Sequence, residues 1–331
     1  MARVQLTMAM SYYDHVADLL HGRVQPEGIE LVCLNFSVEE IFWRFAKYQE
    51  WDISEMSSSN YVSLISRRAD ILRAIPVFPS RVFRCSSIYV RRGGGISRPE
   101  QLAGKRVGVP EWVQTAGIYA RGYLMHECGL HLEDIEWYQG GVSEPGREEK
   151  VAFEAPGGVK IKSVRDRSLT ELLESGQIEA IITAHPPKSF GHDQGERSIV
   201  RLWPDFQAVE QAYWRKTGIF PIMHLVAIHT EVLRRHPWVA MNLYKAFAEA
   251  KERSIQRLSD MTASRFALPW GPQAVDQMRG LFAGEYWPYG IEPNRVTLEA
   301  FLQYCFEQGV SPRKLKVEEL FVPEVQPSFK V

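Results

Sequence analysis

The sequence has little of what usually identifies a protein at sight. Its apolar runs fall short of the roughly 18 residues that a membrane-spanning helix needs, so no such span is expected. The opening stretch, MARVQLTMAMSYYDHVADLL, alternates Val4 and Leu6 with Gln5 and Thr7 as a strand would. It lacks the long apolar core and small-residue cleavage site of an export signal, and a cytoplasmic protein is expected. Cysteine is scarce. Its four residues, Cys33, Cys85, Cys128 and Cys305, form no CxxC pair, which favours free thiols in a reducing compartment over disulfides. A net charge of −1 offers no broad field for nucleic acid or an anionic membrane, so neither is an expected partner.

Common catalytic signatures are missing as well. The run RRGGG has neither GxGxxG nor Walker spacing, so a flexible turn is expected there rather than a phosphate cradle. In HECGLH, Gly129 interrupts the helix and His131 falls about 140° round from His126, which is not the geometry of a zinc-binding HExxH. No serine lies in a GxSxG elbow and no cysteine has a histidine beside it, so covalent hydrolysis has no support. Low-complexity tracts and fixed-period repeats are also absent.

What is present is an ordinary globular composition, 45% hydrophobic and 24% charged, in a chain of 331 residues. That length exceeds the size at which one core keeps growing, so two lobes are expected. Strand-like and helix-like segments alternate at first. VQLTMAM and IELVCLNF read as strands around a loop holding Tyr12 to His15. Ser37 and Glu40 then open a helix in which Val38, Ile41, Phe42 and Phe45 recur at helical spacing, and WDISEM is a third strand. A second α/β unit begins near SSIYVRR and runs through KRVGVP to a helix that Thr115 is placed to cap. Ser168 with Glu171 starts another helix before the strand IEAIIT. After His224 the pattern turns mostly helical, as in HPWVAMNLYKAFAEAKERSIQRL and NRVTLEAFLQYCFEQG. Trp270, Tyr286, Trp287 and Tyr289 in that part suit either a homo-oligomer interface or packing of the lobe.

One polar residue stands out. In TGIFPIMHLVAIH, His224 interrupts an almost continuous apolar run. A buried imidazole must find a partner in the core or open onto a cavity.

The segments RVQPEGIEL, EEIFWR, DISEMSSSNY, AIPVFPSRVFR, LAGKRVGVPEWVQTAG, GGVSEPGREEK, AVEQAYWRKTGIFPIMH, HPWVAMNLYKAF and WPYGIEPNRVTLEAF resemble those of the 4,5-dihydroxyphthalate decarboxylase family, nearly end to end. The resemblance implies an α/β, two-lobed, type 2 periplasmic-binding-protein-like fold with two crossing strands and a helical C-terminal part. SSIYVRR and FPIMHLVAI match the crossings, giving lobe I as residues 1–90 and 222–331 and lobe II as 91–221. It also implies decarboxylation of a small aromatic dicarboxylate in the interlobe cleft, without metal or organic cofactor. The alternatives are a solute-binding protein for an aromatic acid or another small-molecule lyase on the same scaffold, since fold does not fix function.

That chemistry needs cations for carboxylates, an acid for the ring carbon, and partners for the catechol oxygens. Arg81, Arg84 and Arg147 are the expected cations, Arg being suited to planar carboxylates. Backbone N–H groups at Thr115 and Ala116, a helix start, are a second anchor. His224 is the expected proton donor, with His185 in TAHPPKSF as its rival. Glu55 and the serines from Ser57, Ser58 to Ser59 follow the third strand, where hydroxyl partners are expected. Tyr13, Asp14, Glu111 and Trp112 are candidate walls of the cleft.

Overall fold

The structure, a computed structural model, describes residues 3–67, 70–190 and 198–326. The described residues form eleven strands: β1 (Val4–Met10), β2 (Ile29–Asn35), β3 (Ile53–Ser57), β4 (Leu72–Arg81), β5 (Ile88–Arg91), β6 (Arg106–Val109), β7 (Glu136–Gln139), β8 (Lys160–Ser163), β9 (Ala180–Ile182), β10 (Ile199–Arg201) and β11 (Ile222–His229). They form two sheets, in the orders β2-β1-β3-β11-β4 and β10-β5-β9-β6-β7-β8. In each sheet a parallel set joined by crossover helices is interrupted by one antiparallel strand. That strand is β11 between β3 and β4 in the first sheet, and β5 between β9 and β10 in the second. Burial on both faces explains why β11 reads as a continuous apolar run.

Strand membership moves the expected crossings. SSIYVRR contains β5, which lies wholly in the second sheet, while FPIMHLVAI contains β11, which lies wholly in the first. The chain therefore changes sheet between Arg81 and Ile88 and again between Arg201 and Ile222, and a division between residues 90 and 91 would cut through β5.

Two local features position the site. Between Ile75 and Ser80, β4 loses register with β11, because Ile75 faces Val226 whereas Ser80 faces His224. Pro76 and Pro79 fall in this stretch and cannot donate ladder hydrogen bonds. The carbonyls of Pro76 and Phe78 instead accept from the Gly290 N–H and from Trp287 Nε1. Three of the four C-terminal aromatics pack inward or lie half-buried, and Trp270 alone among them is exposed.

The second feature is the helix Thr115–Cys128, which belongs to the second unit but packs into the core of the first through Ala116, Ile118 and Tyr119, with Val113 just before it. Gly122 permits this approach, since a Cβ there would overlap the Tyr304 ring of the helix Arg295–Glu307. Fully buried Arg121 adds a second tie, donating from Nε to Gln308 Oε1 at 2.8 Å and stacking on Trp112. Among the described residues no helix is long and apolar enough to cross a membrane.

Candidate active site

A cleft of about 490 Å³ lies between the two units. Its floor is built by β3 and β11. Glu55 and Ser57, two residues apart, share one face of β3, and His224 pairs with Ser57 across the ladder, so all three side chains meet. His224 Nδ1 donates to Glu55 Oε1 at 2.6 Å. The Tyr13 hydroxyl donates to the same oxygen at 2.5 Å, and the Ser11 N–H donates to Oε2 at 2.9 Å. Glu55 is thus fully enclosed and held by three donors. Burial alone would raise its pKa, but the His224 hydrogen bond and charge, with help from Tyr13 and Ser11, outweigh it and hold the carboxyl below its ordinary value. Burial and the adjacent carboxylate push the Tyr13 phenol far upward, so it stays a protonated donor.

This arrangement resolves the polar interruption in β11. The Nδ1 proton is committed to Glu55, while Nε2 has no hydrogen-bond partner among the described residues and the ring lines the cleft, with Phe42 edge-on at 4.9 Å. A carboxylate that fixes the tautomer and stabilises the imidazolium makes the outer nitrogen a proton donor or acceptor.

Two helix N-termini form the next layer. Ser57 precedes the helix Ser58–Ser66, and Gln114 precedes the helix Thr115–Cys128; neither of these two residues caps its helix with its own side chain. Thr115 does not cap its own helix as expected. Its hydroxyl instead joins those of Ser57 (2.9 Å) and Ser59 (2.8 Å) and accepts from the Ser59 N–H at 3.0 Å, tying the two units together at the cleft. Thr115 and Ala116 both line the cleft, where uncapped N–H groups favour an anion.

The cations divide. Arg84 lines the cleft, and its contacts are Met223 Sδ at 3.1 Å and Ser87 Oγ at 3.5 Å, so among the described residues it has no carboxylate partner within ion-pair distance. Burial lowers its pKa to about 10, which leaves it charged at neutral pH. Arg147 also faces the cleft but is ion-paired with Glu111 at 2.6 Å and lies 3.8 Å from Glu39. Lys47 and Lys150 add charge at the rim and were not anticipated from the sequence. Arg81, by contrast, does not reach the cleft. It follows Ser80, which faces His224, so strand alternation turns it away, and it donates to Phe220 O at 2.9 Å and Pro288 O at 3.4 Å over the Phe220 ring.

Other expectations also change. Trp112 is core rather than wall, fully buried, with Nε1 donating to Gln308 O at 2.8 Å. Asp14 is exposed and away from the cleft. Tyr13 lies behind His224 instead of lining the cleft, and Ser58 is buried without lining it. His185 does line the mouth, with Nε2 at 3.7 Å from Glu39 Oε1. Glu111 lines the cleft but is held by Arg147. Asn60, Gln114, Phe42, Trp43 and Met223 also line the cleft, and none of them was expected there. Their places on a helix, at a helix start or, for Met223, in the apolar strand β11 gave packing or capping roles an equal claim. Among the described residues no group of three or more His, Cys, Asp or Glu could hold a metal ion.

The architecture is that of solute-binding proteins. The periplasmic aliphatic sulphonate binding protein SsuA of Escherichia coli shares it at a TM-score of 0.57 and 14% identity, over 100% of this chain and 96% of that one. The alkanesulfonate-binding protein SsuA of Xanthomonas axonopodis pv. citri, bound to MOPS, does so at 0.52 and 13%, over 97% and 99%. At such identities the likeness establishes the fold alone. No protein-family model matches the chain. Sequence similarity is more specific. The 4,5-dihydroxyphthalate decarboxylase of Comamonas testosteroni is 36% identical over 332 residues, covering 100% of both chains. That of Pseudomonas putida is 34% identical over 216 residues, 65% of this chain and 83% of its own. The chain belongs to the 4,5-dihydroxyphthalate decarboxylase family, and its class is that of a carboxy-lyase.

Proposed function

We propose that the protein converts 4,5-dihydroxyphthalate to protocatechuate and carbon dioxide, with His224 as the proton donor. The observation that carries this reading is the enclosed Glu55 carboxylate bonded to a histidine whose other nitrogen opens on a cationic cleft. The names of the two relatives support the substrate.

Direct loss of a ring carboxylate would leave an aryl anion with no orbital to delocalise into, so protonation comes first. The hydroxyl para to the leaving carboxylate gives up its proton and pushes density onto the carboxylated carbon. His224 Nε2–H delivers a proton to that carbon, the bond to carbon dioxide breaks, and its electron pair restores the aromatic ring. The phenolate so formed takes back the proton that the hydroxyl had released to solvent, and the imidazole recovers its own from water. Glu55 stabilises the imidazolium before transfer, a contribution of about 10² to 10⁴ in rate for a positioned acid. Arg84 and the uncapped helix starts at Thr115 and Ala116 take the carboxylates, with Arg147 and Lys150 nearer the mouth. His224 is preferred to His185 because only the former has a buried carboxylate to orient it. The four free cysteines favour action in a reducing compartment such as the cytoplasm.

The test is direct. Purified protein dialysed against chelator should release carbon dioxide and protocatechuate from 4,5-dihydroxyphthalate. Tight binding without turnover would instead favour solute capture, the role that the names of the two SsuA proteins give them.

A further inference from the structure

We infer that Tyr13 is a positioning residue of the proton-donating pair: by sharing Glu55 Oε1 with His224 it keeps the carboxylate from holding the imidazole proton too tightly. The inference rests on the proposed reading of His224 as the acid and names the side chain that sets its strength.

The chain just after β1 wraps round the Glu55 carboxylate. The Ser11 N–H donates to Oε2 at 2.9 Å, and two residues on the Tyr13 hydroxyl donates to Oε1 at 2.5 Å. His224 Nδ1 donates to that same oxygen at 2.6 Å, and the phenolic oxygen stands 3.2 Å from Nδ1. Two donors therefore compete for one atom.

A carboxylate beside an imidazole tightens its hold on a proton, whereas an acid works best when it releases that proton near the working pH. A neutral donor on the same oxygen divides the negative charge and weakens the hold. Ser11 does this from the backbone, which leaves Tyr13 as the side chain that adjusts it. Its own proton stays in place, because burial and Glu55 push the phenol far upward.

The other charged and titratable groups are held constant when the phenol alone is changed. His15 lies on the protein side of the pair, and burial first, then Lys251 of the helix Val239–Leu258, lower it to about 4, so it carries no charge near neutrality. β4 sets Ser80 opposite His224 and turns Arg81 away. The helix Val38–Tyr48 presents Phe42 to the ring, with exposed Glu39 and Lys47 beside it. Arg84 and, from the second unit, the Glu111 and Arg147 pair, Lys150 and His185 line the same cleft.

The experiment is a pH titration of the full chain with isotope-labelled histidine, followed by NMR, the His224 signals being those lost in His224→Asn. Tyr13→Phe keeps the ring and removes the donor, and should raise the His224 midpoint by about one pH unit, the worth of one hydrogen bond. Replacing Tyr13 by ortho-fluorotyrosine, a more acidic phenol and so a stronger donor on the same ring, should lower it. Tyr61→Phe removes a hydroxyl buried outside the cleft, between Leu320 O and the Ala74 N–H, and should leave the midpoint where it is. In Tyr13→Phe, kcat for 4,5-dihydroxyphthalate should fall by about threefold to tenfold with KM within about twofold. An unmoved or lowered midpoint in Tyr13→Phe, an equal rise in Tyr61→Phe, a rise with the fluorinated ring, or an unchanged kcat in Tyr13→Phe beside normal wild-type turnover would overturn the assignment. The titration needs no turnover, so a wild type that released no carbon dioxide would strike the proposed reaction and leave the midpoints to decide the role of Tyr13.

Discussion

Two carboxylate–histidine pairs border the same cleft, one at its floor and one at its mouth, and they differ in nearly every physical respect. Glu55 and His224 are 2.6 Å apart with side chains 0% and 17% exposed, whereas Glu39 and His185 are 3.7 Å apart and 58% and 67% exposed. Water screens the outer pair, so its attraction is small and its geometry loose. The inner pair has lost water, and its carboxylate is fixed from three sides. Removing one partner there would strand a buried charge at a cost of about 3 to 5 kcal/mol. The same two residue types therefore give a rim contact in one place and a proton-transfer device in the other.

Exchanging the histidines is the sharpest way to break that contrast. His224→Asn keeps a donor near Nδ1 for Glu55 but removes the outer nitrogen, and should lower kcat by about 10³ or more with KM within about tenfold. His185→Asn should leave kcat within about threefold. Steady-state rates of carbon dioxide release check both, and equal losses would erase the distinction between floor and mouth.

A smaller effect concerns the cations. Arg84 has no carboxylate partner within ion-pair distance among the described residues, so Arg84→Met should raise KM for the dicarboxylate by roughly a hundredfold. Arg147 already leans on Glu111, and Arg147→Met should raise KM by only about tenfold. The reverse order would place the principal carboxylate anchor at the mouth.

The smallest effect is on stability. The folded-state pKa of Glu55 lies below its ordinary value of 4.5. Its ionised form therefore favours the native state fully above that value, and the advantage is lost as pH falls through the lower folded value. The Tm advantage of wild type over Glu55→Gln should be constant from neutrality to about pH 5 and should narrow below it. A gap that widened on acidification would contradict the sign of the shift.

Much of this was legible in the chain. The capping box of Ser168 and Glu171 forms, with Ser168 Oγ accepting from the Glu171 N–H. The apolar run around His224 is a doubly covered strand, and Arg84, Ser57, Glu111, Thr115 and Ala116 all reach the cleft. The failures share a cause. Arg81 and Arg84 are three residues apart in one motif, yet the register of β4 against β11 decides that the first turns inward. Glu111 and Trp112 are adjacent, and loop geometry sends one to the cleft and the other to the core. Gln114 and Asn60 carry no local pattern separating them from ordinary helix-start polar residues, and only the fold brings them to the cleft.

The most direct test of the central claim compares Glu55→Gln with Glu39→Gln in the same turnover assay. Neutralising the floor carboxylate should reduce kcat by about 10² to 10⁴, while the mouth substitution should change it by less than about threefold. Near-normal turnover in Glu55→Gln, or a comparable loss in Glu39→Gln, would contradict it.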